Sequence, residues 1–193
     1  MRYTLNAINM EIRITTRHIL NILHVVSWII FVGICIEAAA IIVNACATLF
    51  LNPAAAAKFW KLVDLSALYA FDPGYFLVIS VLISIVMVMK AILFYLIIRI
   101  LYRNKLDMSK PFSTDMVRFI FSVSYLALGI GFFSSWGRNY SEWLVKQGVK
   151  MPDLEYLHIG GASVWLFMGI TLLVIAQIFR KGIELQSEND LTV

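Results

Sequence analysis

The sequence predicts an all-α integral membrane protein, a four-helix bundle with short amphipathic segments in its two outer loops. Three observations predict it. Hydrophobic residues make up 61% of the 193, and charged residues only 15%. A soluble domain carries about 45–50% apolar and about 25% charged residues. The apolar excess is gathered into four blocks, each long enough for the roughly 20 helical residues that cross a hydrocarbon core. Lys and Arg collect at the block ends, where they set topology and meet anionic lipid.

Residues 1–18 are mixed in character and read as a cytoplasmic lead-in. The first span is expected over about 19–51, far longer than the 7–15-residue apolar core of a secretory signal, so a retained helix is expected. Asn52-Pro53 ends it, and Asp72-Pro73-Gly74 is a strong turn before the second span. Between them Phe59, Trp60, Leu62, Val63, Leu65, Leu68 and Tyr69 suit an amphipathic helix lying at the membrane surface. The second span covers about 75–101. A polar loop over 102–114 ends at Ser113 or Thr114, either of which can cap the third span, about 115–136. Asp115 then sits at the positive end of that helix. Trp136, Tyr140, Trp143 and Tyr156 mark the second outer loop, 137–157, as a headgroup belt. The fourth span is expected over about 158–179. Residues 19–180 thus form the membrane bundle, and 181–193 form a cytoplasmic tail.

Orientation follows from counting basic residues. One side holds Arg2, Arg13, Arg17, Arg99, Arg103, Lys105, Lys110, Arg118, Arg180 and Lys181; the other holds Lys58, Lys61, Arg138, Lys146 and Lys150. The richer side is expected to be cytoplasmic, which puts both termini inside. The net charge of +4 is accounted for by these flanks. No basic stripe interleaved with aromatics points to nucleic acid, so no direct nucleic-acid contact is expected. Cys35 and Cys46 lie eleven residues apart in one span, about 16 Å along a helix, too far to pair.

Glu37 and Lys90 are the most informative residues. Each falls near the middle of a span, where a charge costs about 2.5–3.5 kcal/mol. Antiparallel neighbouring helices would set them together as an ion pair. Asn44 lies on the same helical face as Glu37 and can hydrogen-bond, while Gly33 and Ala40 would admit a close partner helix. Ser80 with Ser84, and Ala127 with Gly131, form small-residue pairs on the second and third spans. The pair fits two roles, an interhelical clasp or a proton or ion relay. Glu155-Tyr156-Leu157-His158 has the Glu-x-x-His spacing of di-iron bundles, yet such sites need two copies and further carboxylates. Glu155 and His158 are thus weak candidates, and no metal or other cofactor is expected. No P-loop, nucleophile elbow or zinc-protease motif is present, so no enzymatic activity is expected.

The tail is acidic after Arg180-Lys181, with Glu184, Glu188 and Asp190 before Leu191 and Val193. It reads either as a solvated helix extension or as a docking peptide. From Phe179 to Val193 it has the pattern F-x-x-G-x-x-L-x-x-E-N-D-L-T-V. This resembles the C-terminal signature of small bacterial four-span proteins catalogued as domain of unknown function 2975. Lys110-Pro111-Phe112-Ser113 resembles the inner-loop segment of the same family, and the layout agrees over nearly the whole chain. The resemblance implies a bacterial inner-membrane protein with no established activity. Members are often encoded beside a very small helix-turn-helix regulator, which implies such a DNA-binding protein as partner and the tail as its contact. The expected function is therefore a non-enzymatic interaction or regulatory protein of the inner membrane. The alternative is a small transporter or channel using the Glu37–Lys90 layer. Four spans make too thin a bundle for a roomy pore, so that alternative requires a homo-oligomer.

Overall fold

A computed structural model describes residues 16–59, 63–102 and 113–190. Five α-helices and one 3-10 turn follow in order: α1 (Thr16–Phe50), a 3-10 turn (Pro53–Lys58), α2 (Ser66–Phe71), α3 (Pro73–Tyr102), α4 (Thr114–Lys146) and α5 (Ala162–Asp190). Among the described residues the regular elements are all helical. The four long ones are apolar and long enough to cross a membrane. The chain is a multi-pass membrane protein of all-α class.

The long helices pack in chain order, α1 on α3, α3 on α4, and α4 on α5. Each neighbouring pair is antiparallel. His24 near the start of α1 stacks on Tyr102 at the end of α3, and Phe31 meets Tyr95. Tyr75 at the start of α3 meets Tyr140 and Trp143 late in α4. The start of α1 and the end of α5 therefore share one end of the bundle, here the termini end. The loops 51–72 and 147–161 share the other, the loop end. Burial is uneven: 44% of the apolar window of α3 is buried, against 17% for α1 and α5. The inner helix supplies the core, and the flanking helices present apolar faces to lipid.

Small residues bring α4 and α5 together. Ala127 is fully buried. A Cβ added at Gly131 would lie 2.9 Å from the Leu166 backbone nitrogen, and one at Gly169 the same distance from that of Leu128. At this close approach Ser124 Oγ donates to the Gly169 carbonyl at 2.8 Å. Packing of backbones and a cross-helix hydrogen bond are what hold helices where lipid removes the hydrophobic drive. Gly33, expected to admit a partner helix, instead opens on empty space.

The caps follow the local chemistry. Ser113 caps α4 by accepting from the Met116 N–H. Asp72 accepts from the Gly74 and Tyr75 N–H groups at 2.6 and 3.1 Å and so opens α3. Three boundaries differ from expectation. α4 continues ten residues beyond the expected span end, to Lys146. Gly137, Ser141 and Leu144 keep one face of this extension buried, while Arg138 pairs with Glu142 at 3.9 Å on its exposed side. Polarity there does not end the helix. Gly148, at φ 86°, stops it. The Val149 N–H reaches the Leu144 carbonyl and the Gly148 N–H that of Val145, the paired bonds of a Schellman motif.

α5 begins at Ala162 rather than at His158. Gly160 and Gly161 break the chain there, with Gly161 at φ 69° and His158 itself at φ 59°. At its other end α5 runs unbroken through the expected tail to Asp190.

The first loop also departs from expectation. Its described apolar residues turn inward in place of forming one surface helix. Phe59, Val63, Leu65 and Leu68 are all buried in the bundle core, and Phe59 meets Phe76 edge to face. Leu65 N–H donates to the Ala56 carbonyl, and Phe59 N–H to that of Val63. The loop is a plug that seals the loop end. Trp60 and Leu62 lie outside the described residues, as do the lead-in 1–15 and the segment Lys110–Phe112.

Candidate functional site

A polar cluster sits within the bundle toward its loop end. Side chains on a helix lean toward its N-terminus, and the N-terminus of α3 is at the loop end. Lys90 therefore reaches toward the second loop. Its Nζ donates to the His158 carbonyl at 2.9 Å and lies 5.8 Å from the centre of the Trp165 ring. That ring, on the first turn of α5, offers a cation its negative face. Glu37 comes from α1. Its Oε2 is 4.0 Å from His158 Nε2, and its carboxylate is within electrostatic reach of Lys90.

The arrangement explains how a lysine sits at this depth. An ammonium in an apolar bundle needs acceptors, and helical backbone offers none because its carbonyls are already engaged. The turn at 154–158 supplies one, the His158 carbonyl. Its carbonyl is aimed by the left-handed conformation of His158, in which a non-glycine residue costs about 1–3 kcal/mol. Holding His158 in that shape also carries its imidazole to the Glu37 carboxylate. Backbone and side chain of one residue thus meet the cation and the anion. The two side chains of the Glu37–His158 contact are each 26% exposed, so the cluster is partly screened.

The predicted residues separate into three groups. Glu37 and Lys90 share the cluster, which His158 completes. Asn44 does not join them: it lies two turns further along α1, where its Nδ2 donates to the carbonyls of Lys58 and Phe59 at 2.8 and 2.5 Å. It moors the first loop to α1 and stands apart from the cluster. Glu155 and His158 do not form a helical metal pair, because 154–158 is a turn in which the His158 N–H donates to the Glu155 carbonyl. Among the described residues no group of three or more His, Cys, Asp or Glu could hold a metal ion.

Two participants escaped sequence reasoning. Trp165 carries no signal of its own in the sequence, being one aromatic among the apolar residues of the fourth span. The His158 carbonyl is contributed by backbone, 68 residues from Lys90. Gly160-Gly161 was the available signal, since paired glycines mark a loop that can turn inward.

At the loop end, Asp64 lines a cleft of about 270 Å³ with Ala67, Lys150, Met151 and Pro152. Hydrogen bonds from the Ser66 side chain and backbone N–H, with some help from Lys150, hold its carboxyl below the usual carboxylate range. At the termini end, α5 presents Arg180, Lys181 and Glu184 together. Lys181 Nζ bonds Glu184 Oε2 at 2.9 Å, and Arg180 Nε is 3.6 Å from Glu184 Oε1. Glu188 follows one turn later and is exposed. Leu191, Val193 and the side chain of Asp190 lie outside the described residues.

Comparison with known proteins gives a family and nothing more specific. No curated protein and no solved structure matches the chain. The model of one family, described as a protein of unknown function (DUF2975), matches residues 50–193. That stretch contains Lys90, His158, Trp165 and the tail, while Glu37 lies on α1 before it. The chain belongs to the DUF2975 family.

Proposed function

We propose that the protein is a non-enzymatic regulatory or interaction protein of a bacterial inner membrane, with both termini in the cytoplasm. It couples the polar cluster to a cytoplasmic partner through α5. One observation carries this reading: α5 is a single unbroken helix that begins beside the cluster, with Trp165 against Lys90, and ends in the charged tail. Its 29 residues span about 43 Å at 1.5 Å each, enough to connect one membrane face with the other. A change in how Lys90 is held would be felt at the first turn of that helix. The partner is a small helix-turn-helix regulator, which docks on the inner loop and on the tail at Arg180, Lys181, Glu184, Glu188, Asp190, Leu191 and Val193.

The test is to remove residues 184–193 and measure recovery of a co-expressed small DNA-binding regulator with the tagged membrane protein. Recovery should fall at least to background. Unchanged recovery would dismiss the tail as the contact.

The cluster itself supports a second reading, a small oligomeric transporter or channel. Intramembrane ionisable residues commonly mark ion or proton pathways. Proteoliposomes that carry no flux under any imposed ion or proton gradient would count against it.

A further inference from the structure

A second site lies at the termini end, between α3 and α4 and away from the polar cluster. Here the two helices part to leave a cleft of about 310 Å³. Arg99 from α3 and Arg118 from α4 both line it, and both are exposed. Leu96, Ile100 and Phe119 form its apolar wall, and Asp115 completes the mouth. Ser122 Oγ donates back to the Arg118 carbonyl at 2.8 Å, so its proton is committed to its own helix.

Position and chemistry agree on the occupant. Arg99 is three residues from the end of α3 and Arg118 four from the start of α4. Their Cα atoms thus lie about 4.5 and 6 Å along the axis from their helix ends, at 1.5 Å per residue. That is the headgroup level of a bilayer spanned by these helices. Two arginines against one carboxylate leave the mouth net positive. Guanidinium forks match phosphate oxygens in pairs, which a single ammonium cannot do. The wall beneath is apolar and runs toward the hydrocarbon. A soluble anion would use the arginines but not the wall.

We propose that this cleft binds the headgroup of an anionic phospholipid, its phosphate between Arg99 and Arg118 and the start of an acyl chain along Leu96, Ile100 and Phe119. The bound lipid bridges α3 and α4 where residues 103–112 connect them. That connection carries Arg103, Lys105 and Lys110 and lies outside the described residues.

The experiment uses the full chain in detergent, exchanged with phosphatidylglycerol, phosphatidylcholine or sodium phosphate at equal ionic strength. Bound lipid is counted by native mass spectrometry. Phosphatidylglycerol should be retained over phosphatidylcholine by about tenfold, since each basic group near a membrane surface adds attraction for anionic lipid. The double variant R99Q/R118Q should bring the two lipids to parity. Arg138→Gln, which removes a charge at the loop end, should leave the preference intact. A wild-type chain without preference would overturn the proposal. So would a preference that survives in the double variant, or one lost equally in R138Q. Displacement of phosphatidylglycerol by millimolar inorganic phosphate would show a soluble-anion site in place of a lipid site. A photoactivatable phosphatidylglycerol, with its reactive group near the glycerol, tests the wild-type chain independently of any variant. Its adducts should fall within 96–100 and 115–122, and adducts confined elsewhere would overturn the assignment.

Discussion

Lys90 shows how much a single charge in a membrane helix requires of its surroundings. It draws on a backbone carbonyl, an aromatic face and a carboxylate, each from a different part of the chain. Removing one member of a paired set leaves the other charge poorly solvated, and that imbalance costs more than losing both. Lys90→Met alone should therefore lower stability by about 2 kcal/mol, below the roughly 3–5 kcal/mol of a fully buried broken pair because this cluster is partly exposed. Glu37→Gln in the same background should recover most of that loss. Chemical denaturation of the detergent-solubilised protein, followed by tryptophan fluorescence, measures both. If the double variant were as unstable as Lys90→Met, the Glu37–Lys90 attraction would not be part of what holds α1 against α3. Proton flux lost in a stable double variant would instead give the pair a transport role. His158 adds a feature that two-residue reasoning from the sequence lacked. The two charged members of the cluster were legible because mid-span charges are rare and conspicuous. The carbonyl that receives Lys90 was not, because backbone atoms carry no residue identity.

Among the elements, legibility depended on whether the signal was local. The cap of α4 could be read down to Ser113 or Thr114, and the turn at Asp72 directly, since short polar side chains beside a helix start bond its first N–H groups. The end of α4 could not, because hydropathy reports where a helix leaves the bilayer and not where it stops being a helix. The first loop was ambiguous for another reason. A row of Phe, Val and Leu suits a headgroup surface as well as a bundle core, and only the tertiary mooring by Asn44 decides for the core. The pairing of α4 with α5 was half legible. Ala127 and Gly131 announced a close contact but not its partner. The partner surface centres on Leu166 and Gly169, and it sets a steric prediction. A Cβ at Gly131 would meet the Leu166 side chain at 2.7 Å and its backbone nitrogen at 2.9 Å. The side chain can turn aside, but the backbone can move only with the whole of α5. Gly131→Val should therefore cost about 1–3 kcal/mol, the range for overpacked cores. Gly33→Val, where a Cβ meets nothing within 4 Å, should be near neutral. Thermal unfolding of the two variants side by side is the measurement. Equal stability would mean that α4 and α5 are free to separate at this level.

At the scale of the whole molecule, the antiparallel order of the four long helices puts the start of α1 and the end of α5 at the same end. That order does not itself say which end faces the cytoplasm. The charge distribution does bear on it. By sequence, the two loops between spans one and two and between spans three and four hold Lys58, Lys61, Arg138, Lys146 and Lys150, half as many basic residues as the lead-in, the middle loop with its flanks, and the tail. Basic residues near span ends resist translocation, so the termini end is expected inside. The proposed docking at the tail depends on that assignment. A labelling experiment separates the two topologies. Cys35 and Cys46 are free thiols and would first be replaced by alanine. Single cysteines are then introduced at Ala67, exposed in the first loop, and at Ser187, exposed near the end of α5. In intact cells stripped of any outer wall, a membrane-impermeant maleimide should label Ala67→Cys at once. It should reach Ser187→Cys only after the membrane is permeabilised. The reverse pattern would put the tail outside and remove any cytoplasmic regulator from its reach. Labelling of both sites in sealed cells would contradict the four-span order itself, because three crossings, an odd number, lie between the first loop and the end of α5.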